Sequence, residues 1–284
     1  MRAALWQATS SDDPEENIEG LVQACDEASD ARADILLTPE VTNCLSSSRT
    51  HQRSVLHHEA EDPMLRRARE EAGQRGLWIL LGSLALATDD SEGRFANRSL
   101  LIDADGRIAA RYDKIHMFDV DVDATETYRE SEGFRPGDRA VLARTPWAPV
   151  GLTVCYDLRF PQLHRALAQA GAGILTVPAA FSPVTGAAHW EPLLRARAIE
   201  TGCFVLAPAQ TGTHRTSRGR TRRTHGHTLV VAPWGEVVLD AGTEPGLHVV
   251  EIDLAEVDRA RARVPSLHAD RPFSSPNTAS LAAP

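Results

Sequence analysis

The sequence predicts an α/β protein built from mixed β-sheets covered by helices. Three observations carry that prediction. Apolar strand-like runs alternate with amphipathic helical patterns through most of the chain. Two segments, "RSLLIDADGRIAARY" and "HTLVVAPWGEVVLD", read as hairpins, which a purely parallel doubly wound sheet would not contain. No repeat or linker divides the chain, so residues 1–268 read as one domain and the Pro-, Ser- and Ala-rich residues 269–284 as a tail.

The elements follow in order. "AALWQA" (3–8) is the first strand. Ile18, Leu21, Val22 and Cys25 then recur at i, i+3, i+4 and i+7, the stripe of a helix that buries one face. A second strand covers 34–38. Asp62 before Pro63 marks a helix start, because a capping carboxylate precedes a residue whose missing N–H is not needed in the first turn. Gly73 or Gly76 marks its end. "LWILLGSLAL" (77–86) is the next strand, ahead of the hairpin turning at Asp105-Gly106. Pro161 opens a helix with Leu163 and Leu167 inward and Gly171 as its stop. Residues 173–181 form a strand and 189–200 a helix ending near Gly202. "CFVLAPAQ", the second hairpin and "LHVVEID" complete the strand set.

Composition excludes several function classes. At 284 residues with 42% hydrophobic content, the chain can bury a sizeable core. A net charge of −9 argues against nucleic acid or an anionic membrane surface as the main partner, since phosphate binding needs a basic footprint. No stretch approaches the roughly 20 apolar residues of a membrane span, and the start of the chain lacks the apolar core of a secretory signal. Cys25, Cys44, Cys155 and Cys203 form no CxxC pair and no regular spacing, so neither a disulfide framework nor a structural zinc site is indicated. A soluble, cytoplasmic, reduced protein is expected.

Three polar residues stand at or just beyond the ends of apolar segments: Glu40 in "LLTPE", Lys114 in "YDKIHMFDVDV" and Cys155 in "GLTVCYDLRFP". Loops at strand ends are where α/β sheets gather their binding crevices. Singly, the cysteine reads as core packing and the other two as surface charges. Together they make chemical sense. A carboxylate can take the proton of a thiol, and an ammonium can stabilise the oxyanion formed when that thiol attacks a carbonyl. The backbone N–H of Tyr156, next after the thiol, is a second oxyanion donor.

Those three segments, in that order and at those separations, resemble the signature segments of the nitrilase (carbon–nitrogen hydrolase) superfamily over roughly residues 2–266. The resemblance implies a four-layer αββα sandwich, with Glu40 as general base, Lys114 as transition-state stabiliser and Cys155 as nucleophile. It also implies that Glu130, in "YRESEGFRPGD", holds or tunes the lysine. Further segments, "FSPVTGAAHWEPLLRARAIE" among them, look most like the branch of deaminated glutathione amidases and ω-amidases. Membership there implies hydrolysis of the terminal primary amide of a small, anionic 2-oxo acid or its peptide conjugate. Ammonia would leave through a cysteine thioester, with no cofactor and no metal, in a homodimer or higher homo-oligomer. Nitrile or N-carbamoyl hydrolysis by the same residues, a catalytically silent scaffold, and metal binding through the histidines are the alternatives.

Substrates that carry carboxylates call for fixed cations. Phe181, Thr185, His189 and Arg222 are the substrate-binding candidates, and Trp190 accompanies His189. Arg159 reads as structural, bonding carbonyls or a carboxylate beneath the site. Arg215, Arg218, Arg220, Arg222 and Arg223 crowd one stretch, either a solvated loop or an anion-attracting lip over the pocket. His225 and His227 have HxH spacing, with no cysteine or carboxylate close by in sequence to complete a metal site. Three departures from the family pattern bear on substrate identity rather than on the chemistry. "EVTNCLSSS" lacks an aromatic residue after the glutamate, Gln162 replaces an acidic residue, and His225 an aromatic one.

Overall fold

The computed structural model describes residues 1–121 and 127–274. In chain order the strands begin with β1 (Arg2–Gln7), β2 (Ile35–Leu37), β3 (Trp78–Leu86), β4 (Ala96–Ile102), β5 (Ile108–Asp113), β6 (Asp119–Asp121), β7 (Thr127–Arg129) and β8 (Val141–Ala143). They continue with β9 (Val150–Leu152), β10 (Ile174–Thr176), β11 (Phe204–Ala207), β12 (Thr211–His214), β13 (Arg222–His225), β14 (Leu229–Val231), β15 (Val237–Asp240) and β16 (Gly246–Glu251). The helices are α1 (Pro14–Asp30), α2 (Arg49–Val55), α3 (Pro63–Arg75), α4 (Pro161–Gln169), α5 (Pro183–Thr201) and α6 (Ala255–Arg263).

Two six-stranded mixed sheets stack face to face. The first has the order β16-β1-β2-β3-β4-β5 and the second β15-β14-β11-β10-β9-β8. Each has a parallel centre, β1-β2-β3 and β9-β10-β11, flanked by antiparallel strands. The period-2 alternation of strand side chains explains the layering. Ala3, Leu5, Ile35, Leu37, Leu80 and Leu101 turn toward the second sheet. Ala4, Leu36, Ile79, Leu81, Leu100 and Ile102 turn outward onto α1 and α3, meeting Leu21, Cys25, Met64 and Leu65. Beyond the second sheet, Leu163 and Leu167 of α4 and Leu194 and Ala198 of α5 cover the opposite face. The result is the αββα sandwich, with each fully buried leucine contributing about 1.5–3 kcal/mol of burial.

Local signals account for the ends of several elements. The Asp62 carboxylate accepts from the Leu65 N–H at 2.8 Å, and Gly76, rather than Gly73, closes α3 at φ 64°. Three expectations need correction. The helix expected over 189–200 begins at Pro183, because Gly186 and Pro192 are not breakers here. Gly186 lets the His225 ring pack against the helix backbone, where a Cβ would overlap it. Pro192 sits on the exposed face, so its missing N–H leaves a carbonyl to solvent. The arginine-rich stretch is only partly a loop, since β12 and β13 pair as an antiparallel hairpin. Residues 255–263, read as no element, form α6.

Asp270, at the start of the expected tail, is tied to Arg165 and Gln169 of α4. Val122, which closes the "DVDV" segment, and residues 275–284 lie outside the described residues. Among the described residues no helix is long and apolar enough to cross a membrane.

Candidate active site

The loop after β2 carries Glu40 and is pinned to β3. The Gly82 N–H donates to Thr38 Oγ1 at 3.1 Å, and the Val41 N–H to Ser83 Oγ at 2.9 Å. Val41 itself adopts φ 47°, which swings the chain away directly behind the glutamate. Gly82 is needed there, because a Cβ would overlap the Thr38 carbonyl oxygen and the Pro178 side chain. Lys114 follows β5 directly, with its N–H bonded to the Asn97 carbonyl at 2.9 Å. Glu130 opens a 3-10 turn behind β7.

Cys155 lies three residues past β9 at the start of a 3-10 turn, with φ 49°, a costly conformation for a side chain other than glycine. Two hydrogen bonds hold it there. Its N–H donates to the Pro178 carbonyl at 2.9 Å, and Asp157 Oδ2 accepts from the Val154 N–H at 2.9 Å. The buried Asp157 also accepts from the Tyr112 hydroxyl at 2.6 Å and the His116 N–H at 3.0 Å. The cysteine turn is thereby tied to the segment that carries Lys114.

The three strand-end residues converge with Glu130. Lys114 Nζ donates to Glu40 Oε1 at 2.9 Å and to Glu130 Oε1 and Oε2 at 2.9 and 2.8 Å. The Asn97 side-chain amide bridges the two carboxylates, at 2.9 Å to Glu40 and 3.3 Å to Glu130. Glu40 Oε2 accepts the Ala180 N–H at 2.9 Å, and Glu130 Oε2 accepts the Phe118 N–H at 2.7 Å. Glu40, Lys114 and Asn97 are each 4% exposed or less, so these charges survive burial only because they satisfy one another.

Electrostatics sets the resting state. Burial pushes the Cys155 thiol well above its ordinary range, Glu40 adds to the rise, and Lys114 offsets part of it. Burial would also raise the Glu40 carboxyl, yet the charge and hydrogen bond of Lys114, with Arg222, hold it below the usual range. Burial disfavours the Lys114 ammonium, but Glu130 and Glu40 together raise its pKa above the ordinary value. At neutral pH the site therefore holds a neutral thiol beside an ionised carboxylate and an ammonium. Such a set can transfer the thiol proton to the carboxylate during attack on a carbonyl. Tyr156 is the second residue of its 3-10 turn, where an N–H has no acceptor within the turn.

A cavity of about 400 Å³ opens onto this cluster. Phe181, Thr185 and Arg222 line it, and Tyr156 does too. Arg222 Nη2 donates to the Ala180 carbonyl at 2.7 Å, while its Nε and the hydroxyls of Ser182 and Thr185 are buried with no partner among the described residues. His189 does not line the cavity. It is exposed on α5, with Nδ1 3.2 Å from Arg159, because it lies off the buried stripe of Gly186, Trp190, Leu194 and Arg197. Trp190 is buried and donates to the His227 carbonyl at 2.7 Å. Arg159 also departs from expectation: instead of a carboxylate or carbonyl beneath the site, its guanidinium lies over the rings of Tyr156 and Phe181.

Gln162 is exposed and away from the cavity. His225 and His227 stack on each other, and His227 Nδ1 meets Asp240 at 2.9 Å. Among the described residues no group of three or more His, Cys, Asp or Glu is arranged to hold a metal ion. Asn97, Arg49 and the Ala180 N–H were not anticipated from sequence. Asn97 is the first of three consecutive polar residues that open β4, so nothing local singled it out, and the other two had no signal either.

Residues 2–262 match the carbon–nitrogen hydrolase family. The chain is 40% identical over 273 residues to the deaminated glutathione amidase of Yersinia enterocolitica, covering 96% of this chain and 93% of that protein. The crystal structure of the Caenorhabditis elegans NitFhit protein superposes with a TM-score of 0.87 at 35% identity, over 95% of this chain and 65% of that one. A Glu-to-Gln mutant of an amidase from Nesterenkonia sp. AN1, showing the result of Michael addition of acrylamide at its active-site cysteine, superposes with a TM-score of 0.75 at 27% identity, over 93% of this chain and 98% of that one. On this fold, this convergence of residues and these likenesses, the chain belongs to the carbon–nitrogen hydrolase family, as a cysteine-dependent amidase.

Proposed function

We propose that Cys155 is the nucleophile of an amide hydrolysis in which Glu40 moves the protons. The thiol proton passes to Glu40 as sulfur attacks the amide carbon. The Lys114 ammonium and the Tyr156 N–H bind the oxyanion, and Glu130 keeps the ammonium charged and aimed. Glu40 returns the proton to the departing nitrogen, leaving a thioester. Water then gives a proton to Glu40 and attacks the thioester, which frees the acid and restores the thiol. The buried contact of Lys114 with both carboxylates carries this assignment, since it explains why Glu40 stays ionised beside a neutral thiol.

Arg222, Thr185, Ser182 and Phe181 supply an acyl pocket suited to an anionic substrate, for which the unpartnered Arg222 Nε and the two hydroxyls are the available donors. The likeness to deaminated glutathione amidases supports an amide of that kind. The amides of such a tripeptide derivative are secondary, so an amine-bearing fragment would leave, whereas a primary ω-amide would release ammonia. The four free, buried cysteines fit a reducing cytoplasm. Exposed Ile199, Trp234 and Val264, gathered around one shallow cleft, fit self-association into a homo-oligomer.

The test is a substrate panel followed by both ammonia release and mass spectrometry of amine products. It includes deaminated glutathione, 2-oxoglutaramate, succinamate, an N-carbamoyl amino acid and an aliphatic nitrile. Hydrolysis of the anionic amides with little turnover of the last two is expected. Preference for the nitrile or the carbamoyl compound would overturn the amide assignment.

A further inference from the structure

The proposed mechanism leaves one cation in the cavity wall without a task. Lys114 is held between Glu40 and Glu130 and has its task at the oxyanion, and Arg129 is paired with Asp121 at 2.8 Å. Arg49 also lines the cavity, yet among the described residues no carboxylate lies within ion-pair distance of its guanidinium. Among the described residues its side chain makes one hydrogen bond, from Nη1 to Gln52 Oε1 at 2.9 Å, and Gln52 is itself anchored through Nε2 to the Ser46 carbonyl at 3.3 Å. The guanidinium is 5.1 Å from the centroid of the Phe134 ring and lies so close against Gly133 that a Cβ there would overlap it. Arginine is thus held by stacking and by one amide while most of its donors stay uncommitted.

Arg222 and Arg49 act on different parts of the cluster. Arg222 bears on Glu40 and bonds the carbonyl of Ala180, whose N–H meets the same glutamate. Arg49 bears instead on Glu130 and Glu132, at the part of the wall formed by Glu132 and Phe134. A substrate whose acyl end lies by Cys155 and Arg222 would leave its far end to Arg49.

We infer that Arg49 is a second anion subsite, which takes a carboxylate on the leaving-group side of the scissile amide. It rests on the amidase reading of the site and names the residue that would select, among its amides, those whose leaving group also carries a carboxylate. A planar guanidinium with free donors matches a carboxylate through two parallel hydrogen bonds.

The experiment compares two amides that differ only at the far end of the leaving group, one ending in a carboxylate and the other in a carboxamide. Wild-type enzyme, Arg49→Gln and Arg49→Lys are assayed, and the ratio of kcat/KM for the two amides is read. The wild type should prefer the carboxylate by about tenfold or more. Arg49→Gln should bring the ratio close to one, chiefly through KM, and Arg49→Lys should keep part of it. A wild type with no preference overturns the inference. So does a variant that slows both substrates equally, for that is the mark of a structural role. Failure of the wild type to cleave either amide would instead bring down the amidase reading of this substrate class, and the subsite with it.

Discussion

The two sheets contribute unlike halves of the site. From the first come the groups around the charge: Glu40 after β2, Asn97 on β4 and Lys114 after β5, with Glu130 closing the cluster from the turn behind β7. From the second come neutral groups: the Cys155 thiol after β9 and the Ala180 N–H after β10. The charged half is complete in itself, because two carboxylates share an ammonium and an amide. The neutral half is held by backbone bonds and a left-handed cysteine. In the proposed mechanism neither half is reactive alone. A carboxylate becomes a base for a thiol only where the sheets are stacked in register, and the Ala180–Glu40 hydrogen bond marks that seam.

Removing the neutral half should have the largest effect. Cys155→Ala is expected to lower amide turnover at least about 10⁴-fold while leaving thermal unfolding nearly unchanged, because the Glu40–Lys114–Glu130 contacts do not depend on sulfur. Steady-state assays beside a melting curve check this, and appreciable turnover would remove Cys155 from the chemistry.

Wedging the seam should come next. Gly82→Ala places a methyl group between the Thr38 carbonyl of one half and Pro178, whose own carbonyl holds the Cys155 N–H, of the other. Overpacking of this kind costs about 1–3 kcal/mol, and a small displacement of aligned groups lowers kcat by roughly 10²-fold. Denaturant midpoints and kcat measured together test it. Normal kcat in a destabilised variant would show that the halves tolerate separation.

The smallest effect should come from within the charged half. Asn97→Ala removes a donor from Glu40 and leaves Lys114 in place, costing about tenfold or less at neutral pH. Its signature is the pH profile. If Glu40 is the proposed base, it must be ionised to accept the thiol proton, so activity is present above its pKa and lost as pH falls through it. Its pKa is held down in the folded protein, and losing a donor raises it. The acid limb of kcat/KM should therefore move to higher pH. An unmoved limb would mean that Asn97 has no part in setting the ionisation of Glu40.

Much of this was legible in sequence where local physics decides. The caps at Asp62 and Gly76, the turn at Asp105-Gly106 and the strand periodicity follow from nearest-neighbour sterics and burial. The extent of α5 was not legible, because Gly186 and Pro192 break a helix by propensity and are tolerated by what lies beside them. The hairpin β12–β13 was hidden in the same way under its arginines: His214, in β12, is buried between Ser10 and Thr224, a partner set that no local pattern announces.

By itself, the sequence determined the layered α/β architecture and, through three motifs, the residues that deliver a carboxylate, an ammonium and a thiol to strand ends. Those are properties of short segments, governed by alternation, capping and side-chain chemistry. Tertiary structure alone decided that Asn97 would bridge two buried carboxylates, that His189 would face solvent, and that Arg49 would stand uncommitted in the cavity wall. Each depends on groups far apart in sequence meeting at one point, where burial makes an unpaired charge or donor costly. The partners available within a few ångströms then decide what each residue can do.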